Sequence, residues 1–262
     1  MGVKRSLSLD DLKPYIDVQK ITPTTNGISD SVFILDDKYV LKIFETASKE
    51  EIKNELELIS FCSSLKVPKV LSEIVLIQDK YALIYEKSKG KSLEKVSKNN
   101  IFEIGLFLKE FHRITKGKTS TNPQLFLKDE LYKLIEKTNH KPFFELFDNI
   151  DIRFKNDGII HGDLFCDNAT FFEEKLSCVF DFIQSCNGDF LFDLAVVALS
   201  WCKNKDEILY LLHSYQTTVS YEIFLPYLKY AGLYYCTTRF LENKDFSELW
   251  DKINYSFLNR LN

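Results

Sequence analysis

Apolar positions in the first third of the chain recur in short alternating or continuous runs, the pattern of strands and not of helices. VFIL and YVLKIF, within residues 32–44, are two such runs, and Asp36-Asp37 between them is a turn signal. KVPKVL, SEIVLIQ and YALIYEK, within residues 66–87, read as further strands of one sheet, with Pro68 marking an edge or a loop. Two stretches break this pattern. Residues 8–18 read as a short capped helix with Ser8 ahead of Asp10 and Asp11, and residues 48–65, rich in Glu, Lys, Leu and Ile, read as a longer one.

Past Glu86 the pattern changes. KSKGKSLEKV is polar and contains Gly90, as a linker would. Beyond it the apolar period is helical over 100–115, about 123–139 and long runs within 191–260. GIIHGDLFCDNATFFEEKLSCVFDFI interrupts those helices and reads as loop, short strand, turn, short strand. The expectation is an α+β chain in two lobes: an N-terminal antiparallel sheet plus helix over 1–86, a hinge at 87–91 and a helical C-terminal lobe over 92–262.

Composition narrows the function classes. A net charge of −4 provides no footprint for gripping DNA or RNA, although a phosphate site within an acidic protein needs only local positive charge. The six cysteines fall singly in apolar surroundings, without CxxC pairs or histidine partners at metal spacing, so they are expected as buried free thiols of a reducing cytosol. No run approaches the roughly 20 apolar residues of a membrane helix, and a cytoplasmic protein is expected.

The chemistry concentrates in His161-Gly162-Asp163-Leu164-Phe165-Cys166-Asp167-Asn168, followed by Val179-Phe180-Asp181-Phe182. Phosphoryl transfer to a hydroxyl needs the alcohol's proton accepted and a magnesium ion held on the phosphates. Asp163 suits the first task. Asn168, five residues on, and Asp181, at the end of the next strand, supply hard oxygen ligands for the second. His161 is expected to hold the loop by hydrogen bonds. Asp193, in FDLAVVAL, is expected to cap the helix it begins or to brace that loop.

Such a site needs a cation for the nucleotide's phosphates. Alternation in YVLKIF places Lys42 on one face with Val40 and Phe44, inside a strand so apolar that the ammonium should need an anionic partner. Glu55 shares a helix face with Ile52 and Ile59 and so turns inward as the expected partner, whereas Glu57 is expected to pair outward with Lys53. The run from Thr24 to Ser31, including Gly27 and Ser29, reads either as a phosphate-covering loop or as a plain hairpin turn. No GxxxxGK[ST] run is present. His112 reads as a satisfied core histidine, and the tyrosines of 221–235 as core before cation cage.

With these residues in place, the chain resembles the aminoglycoside phosphotransferase and choline kinase superfamily, an offshoot of the protein-kinase fold. Within it, IHGDLFCDN, FDFIQSCNGDFLFDLA, Ser200-Trp201-Cys202 and the run from Thr237 to Glu242 look like type II homoserine kinases. The resemblance spans most of the chain from about residue 20. It implies ATP and Mg²⁺ as cofactors, a loop at Gly27 and Ser29 closing over ATP, Lys42 and Glu55 on phosphates, and hinge contacts near Glu86 and Ser88. The implied partner is a small-molecule hydroxyl substrate, with no nucleic acid or membrane, bound by the C-terminal helices.

Only a dozen positions separate Asp181 from Asp193, too few for a peptide-docking segment, so a small alcohol is favoured. Homoserine is the first choice, with Arg239 for its carboxylate and Asp189 for its ammonium. Aminoglycosides and choline are the alternatives within the class, and a non-catalytic nucleotide-binding scaffold is the alternative outside it. The oligomeric state stays open.

Overall fold

The structure is a computed structural model that describes residues 3–24 and 30–256. The expected loop positions Gly27 and Ser29 lie outside the described residues. The chain divides into two compact units, Met1–Lys89 and Gly90–Asn262.

Unit 1 is a five-stranded antiparallel sheet of order β1-β2-β3-β5-β4, with one long helix. The strands are β1 (Ile21–Pro23), β2 (Ser31–Leu35), β3 (Tyr39–Ile43), β4 (Val75–Ile77) and β5 (Lys80–Glu86). Alternation on β2 and β3 sends Phe33, Leu35, Leu41 and Ile43 into a core with Ile84 and Leu12. Asp36 and Asp37 both adopt positive φ (49° and 58°), closing Lys38 N–H onto the Leu35 carbonyl at 3.0 Å. This is the left-handed turn conformation that aspartate tolerates well. Gln78-Asp79 repeats it between β4 and β5 without any Asn-Gly signal in the sequence.

Helix α1 (Leu9–Leu12) is far shorter than 8–18, although Ser8 and Asp11 form the expected reciprocal cap. Pro14 follows its end: proline lacks the N–H that would continue the i→i−4 ladder, although Lys13 before it is still helical (φ −46°, ψ −37°). KVPKVL is not a strand: only Val70 bridges, opposite Tyr85, flanked by the Leu71 N–H on the Ile84 carbonyl and the Glu86 N–H on the Lys69 carbonyl. Helix α2 (Lys49–Phe61) is capped by Ser48 with Glu51 and buries Ile52, Glu55, Leu58 and Ile59. Lys53 pairs with Glu50 at 3.5 Å, not with Glu57, choosing the i−3 over the i+4 carboxylate.

Unit 2 is mainly helical: α3 (Lys98–Thr115), α4 (Lys128–Thr138), α5 (Lys141–Asp148), α6 (Phe190–Trp201), α7 (Lys205–Tyr215), α8 (Tyr221–Leu241) and α9 (Ser247–Asp251). Two small antiparallel pairs lie among them, β6 (Gly158–Ile160) with β9 (Cys186–Gly188) and β7 (Ala169–Phe172) with β8 (Lys175–Val179). α6 is apolar apart from Asp193 and Ser200 and is buried from Phe192 to Leu199, as a helix at the centre of a bundle must be. α3 and α7 approach closely at Gly105, where an added Cβ would stand 2.0 Å from the Ser214 hydroxyl. Among the described residues no helix is long and apolar enough to cross a membrane.

Candidate active site

The segment carrying His161, Asp163 and Asn168 begins where β6 ends and runs to a 3₁₀ turn at Cys166–Asn168, directly before β7. Several backbone groups of this loop are bonded to residues elsewhere in unit 2. The Asp193 carboxylate accepts the N–H of His161 at 2.8 Å on one oxygen and that of Gly162 at 2.9 Å on the other. Trp201 Nε1 donates to the Leu164 carbonyl at 2.9 Å, and Ser200 Oγ accepts the Cys166 N–H at 2.8 Å. Asp193, Ser200 and Trp201 sit seven and eight residues apart, two turns of α6, and so present one face to the loop. The Tyr235 hydroxyl, on α8, donates to the Gly162 carbonyl and also reaches the Asp163 carboxyl. A loop so tethered holds its functional side chains at fixed positions.

Asp193 therefore braces and does not cap. Asp189 is the N-cap of α6, accepting the Leu191 N–H at 2.8 Å. The same carboxylate accepts from Lys155 N–H at 2.8 Å and the Tyr227 hydroxyl at 3.2 Å, and the residue is 2% exposed. Its expected role as anchor for a substrate ammonium is corrected accordingly, since its lone pairs are committed to the fold. Asp193 is fully buried and also pairs with His112 Nε2 at 2.9 Å. Burial opposes its charge, but the hydrogen bond from His112 and the loop N–H outweigh burial and hold this carboxyl below its ordinary range. His112, bonded on its other nitrogen to the Tyr215 hydroxyl at 2.7 Å, is a satisfied core histidine as expected.

His161 is buried and kept neutral, burial lowering its pKa. Its Nδ1 accepts the Asp163 N–H at 3.3 Å while Nε2 donates to the Phe180 carbonyl at 3.2 Å. One imidazole thus ties the expected base itself to the residue before Asp181. Asn168 Nδ2 donates to the Asp163 carbonyl at 2.7 Å and to its carboxylate at 3.3 Å. The Phe180 N–H donates to the Asn168 carbonyl at 3.0 Å, so Asn168 and Asp181 start from neighbouring ladder positions. Asp181 has φ 69°, a left-handed conformation uncommon for a residue other than glycine and one that aspartate tolerates. Burial, then the charges of Asp181 and Asp167, push the Asp163 carboxyl up to about 7, against the hydrogen bonds from Asn168 and Tyr235.

Gly162 has φ +81°, and a Cβ there would stand 2.7 Å from the Phe126 ring. Cys166 is half-buried, unlike the other five cysteines; all six are free thiols. Arg239, near the end of α8, places its guanidinium 5.8 Å from the centre of the Phe165 ring, inside the loop.

In unit 1, Lys42 sits centrally on β3, opposite Val32 on β2 and Leu83 on β5. Its ammonium lies 3.4 Å from the Asp30 carboxylate and 4.6 Å from the Phe44 ring centre. Asp30 went unnoticed in the sequence, although a carboxylate at the start of the neighbouring strand is where an antiparallel partner of Lys42 would lie. It also accepts the Glu45 N–H at 3.0 Å. Glu55 is 2% exposed, turned inward as its spacing predicts. Glu86 closes β5, with its carboxylate on Lys69 Nζ at 2.6 Å and its N–H on the Lys69 carbonyl at 2.9 Å. Ser88 follows two residues later, near the end of unit 1.

An antiparallel sheet with one helix, followed by a helical unit carrying a tethered HxDxxxxN loop and a strand-end aspartate, is the kinase-like phosphotransferase fold. The chain belongs to the phosphotransferase enzyme family, whose model it matches over residues 20–221. It is 26% identical over 216 residues to the homoserine kinase of Methylobacillus flagellatus, covering 75% of this chain and 67% of that protein. It is 26% identical over 221 residues to the homoserine kinase of Neisseria meningitidis, covering 76% of this chain and 71% of that one. Among solved structures, the GDP complex of wild-type aminoglycoside 2′-phosphotransferase-IIIa superposes with a TM-score of 0.70 at 15% identity, covering 93% of this chain and 94% of that one. The streptomycin–ATP–APH(2″)-IIa ternary complex superposes with a TM-score of 0.60 at 20% identity, covering 93% of both chains. These two likenesses establish the fold.

Proposed function

We propose that the chain is an ATP- and magnesium-dependent kinase that transfers the γ-phosphate to the hydroxyl of a small molecule, homoserine. The observation that carries this reading is the Asp163 carboxyl, buried in a tethered loop and hydrogen-bonded by Asn168 and Tyr235. In this role Asp163 orients the acceptor hydroxyl and receives its proton as the oxygen–phosphorus bond forms, with ADP as leaving group. Lys42 provides the cation for the nucleotide's phosphates, with Glu55 as its inward-facing carboxylate. Glu86 retains only its backbone carbonyl for a nucleotide base, since Lys69 occupies its carboxylate and N–H; Ser88 is the other hinge candidate.

Asn168 and Asp181 fit a magnesium site. With Nδ2 committed to Asp163, the Asn168 group left for a metal is the Oδ1 oxygen, the donor type magnesium takes, and Asp181 adds a carboxylate. Among the described residues no group of three or more His, Cys, Asp or Glu forms a metal cage. That fits an ion held by one or two protein oxygens plus phosphates. When bound, magnesium neutralises charge on the phosphate oxygens.

Homoserine is favoured over an aminoglycoside because the homoserine kinases above match in sequence, at 26% identity over two thirds of their own length or more, whereas the aminoglycoside phosphotransferases match in fold at 15% and 20% identity. The test is ADP release from magnesium-ATP with L-homoserine, choline and an aminoglycoside set. Turnover of L-homoserine supports the reading. Turnover of only a different alcohol overturns the substrate, and nucleotide binding without any turnover overturns the activity in favour of a scaffold.

A further inference from the structure

Arg239 stands one helical turn beyond Tyr235 on α8, at the i+4 spacing that puts two side chains on one face, about 6 Å apart along the axis. Tyr235 touches Gly162 and Asp163, and Arg239 lies over Phe165, two residues after Asp163. The Phe165 ring sits between them, 4.7 Å from the Tyr235 ring in an edge-on contact. Arg239 is half-buried. Among the described residues it has no carboxylate within 4.0 Å and donates no hydrogen bond. The acid it influences, Asp245, is exposed and has its carboxylate on the Ser247 N–H at 2.9 Å. An arginine has five donors in a planar fork matched to carboxylates, and one removed from bulk water without an anion leaves that capacity unused.

The surroundings sharpen the point. The loop beside Arg239 carries Asp163 and Asp167, and the Asp163 carboxyl also feels the charge of Asp181. Such a site would accept a polycationic alcohol without any arginine. A substrate carrying a carboxylate is what needs a cation here, because repulsion from three acids must be offset. We propose that Arg239 is the specificity-determining residue of the acceptor site, binding the carboxylate of a short hydroxy acid whose hydroxyl faces Asp163. This rests on the small-alcohol kinase reading and deepens it. The guanidinium packed on Phe165 fixes the acid end, while the tethered Asp163 receives the hydroxyl end.

The experiment compares wild type, Arg239→Gln and Arg239→Lys on L-homoserine and on 3-aminopropan-1-ol, which is homoserine without its carboxylate. The ratio of kcat/KM for the two alcohols should fall about 100-fold in Arg239→Gln, and less in Arg239→Lys, which keeps the charge but loses the fork. An unchanged ratio in either variant, folded by its thermal melt, overturns the assignment and leaves Arg239 as a packing residue on Phe165. Wild-type rates judge the substrate reading separately. If L-homoserine is not turned over, the same variants are run on serine, threonine and glycerate. A preference for one of these acids that is lost in Arg239→Gln upholds the role of Arg239 with a different substrate, and turnover confined to aminoglycosides overturns it.

Discussion

Asp193 holds the two residues in front of the expected base with its two oxygens, taking the N–H of His161 at 2.8 Å and that of Gly162 at 2.9 Å. A single side chain on a buried helix thus fixes the backbone that aims Asp163. Asp193→Ala leaves both N–H groups and His112 without their acceptor, and a cost of about 3–5 kcal/mol is expected, read by chemical denaturation. Asp193→Asn, which keeps one acceptor oxygen, should stay folded and lose kcat by more than tenfold with a smaller change in nucleotide Kd. Nucleotide affinity falling as far as kcat would contradict a bracing role.

Tyr235 reaches the same loop from α8. Tyr235→Phe keeps the aromatic packing against Phe165 and removes only the hydroxyl bonded to Gly162 and Asp163. The expected outcome is a stability loss of about 1 kcal/mol, typical of one hydrogen bond, together with a several-fold drop in kcat. A variant with unchanged kcat would show that the hydroxyl serves the fold alone.

How much of this was legible in the sequence differs by element. The α2 helix was readable because Ser48 and Glu51 cap it and its apolar period is clean, and the inward turn of Glu55 followed from that period. The order of Asp163, Asn168 and Asp181 was readable because the spacing is local. What tethers them was not, since Ser200, Trp201 and Tyr235 lie 34 to 73 residues from their partners. Tyr235 was hidden among core tyrosines at the same helical spacing. The tight turns at Gln78-Asp79 and Glu173-Glu174 adopt positive φ without glycine or asparagine, so their chemistry marks neither turn, although the apolar runs on either side already read as the strands they join. Pro14 lies inside the helix read over 8–18 and follows its actual end, and KVPKVL keeps a single bridge at Val70 where a strand was expected.

The close approach of α3 and α7 makes a coupled prediction. Gly105→Ala should destabilise by about 1–3 kcal/mol, since its methyl meets Ser214 Oγ at 2.0 Å and Ser214 Cβ at 3.0 Å. Ser214→Gly removes both obstacles. In a double-mutant cycle the pair should be less destabilised than the sum of the single variants by more than about 1 kcal/mol. Additive losses would mean that the helices move apart to admit the methyl.

Acid sensitivity is expected in unit 1. Arg5 binds Glu45 through Nε at 2.9 Å and Nη2 at 2.8 Å, and the Ser31 hydroxyl adds a third bond at 2.6 Å. The Arg5 hydrogen bond, opposed by burial and aided by Ser31, holds the Glu45 carboxyl below its ordinary range. A lowered carboxyl pKa stabilises the fold above the unfolded value of about 4.3, and that contribution is lost as pH falls through the folded value. Glu45→Gln should therefore melt below wild type at neutral pH, by an amount reflecting roughly 1.5–3 kcal/mol, with the gap narrowing from about pH 5 downward. A gap independent of pH would contradict the ion pair.

The most direct test of the account is to identify the product. Purified protein with magnesium-ATP and L-homoserine is followed by ³¹P NMR and mass spectrometry, with Asp163→Asn alongside. The account predicts a phosphate monoester on the homoserine hydroxyl, formed one-for-one with ADP, and a rate lower by about 10²–10⁴ in Asp163→Asn. No phosphoester from any hydroxy acid, or an Asp163→Asn variant as active as wild type, would contradict it.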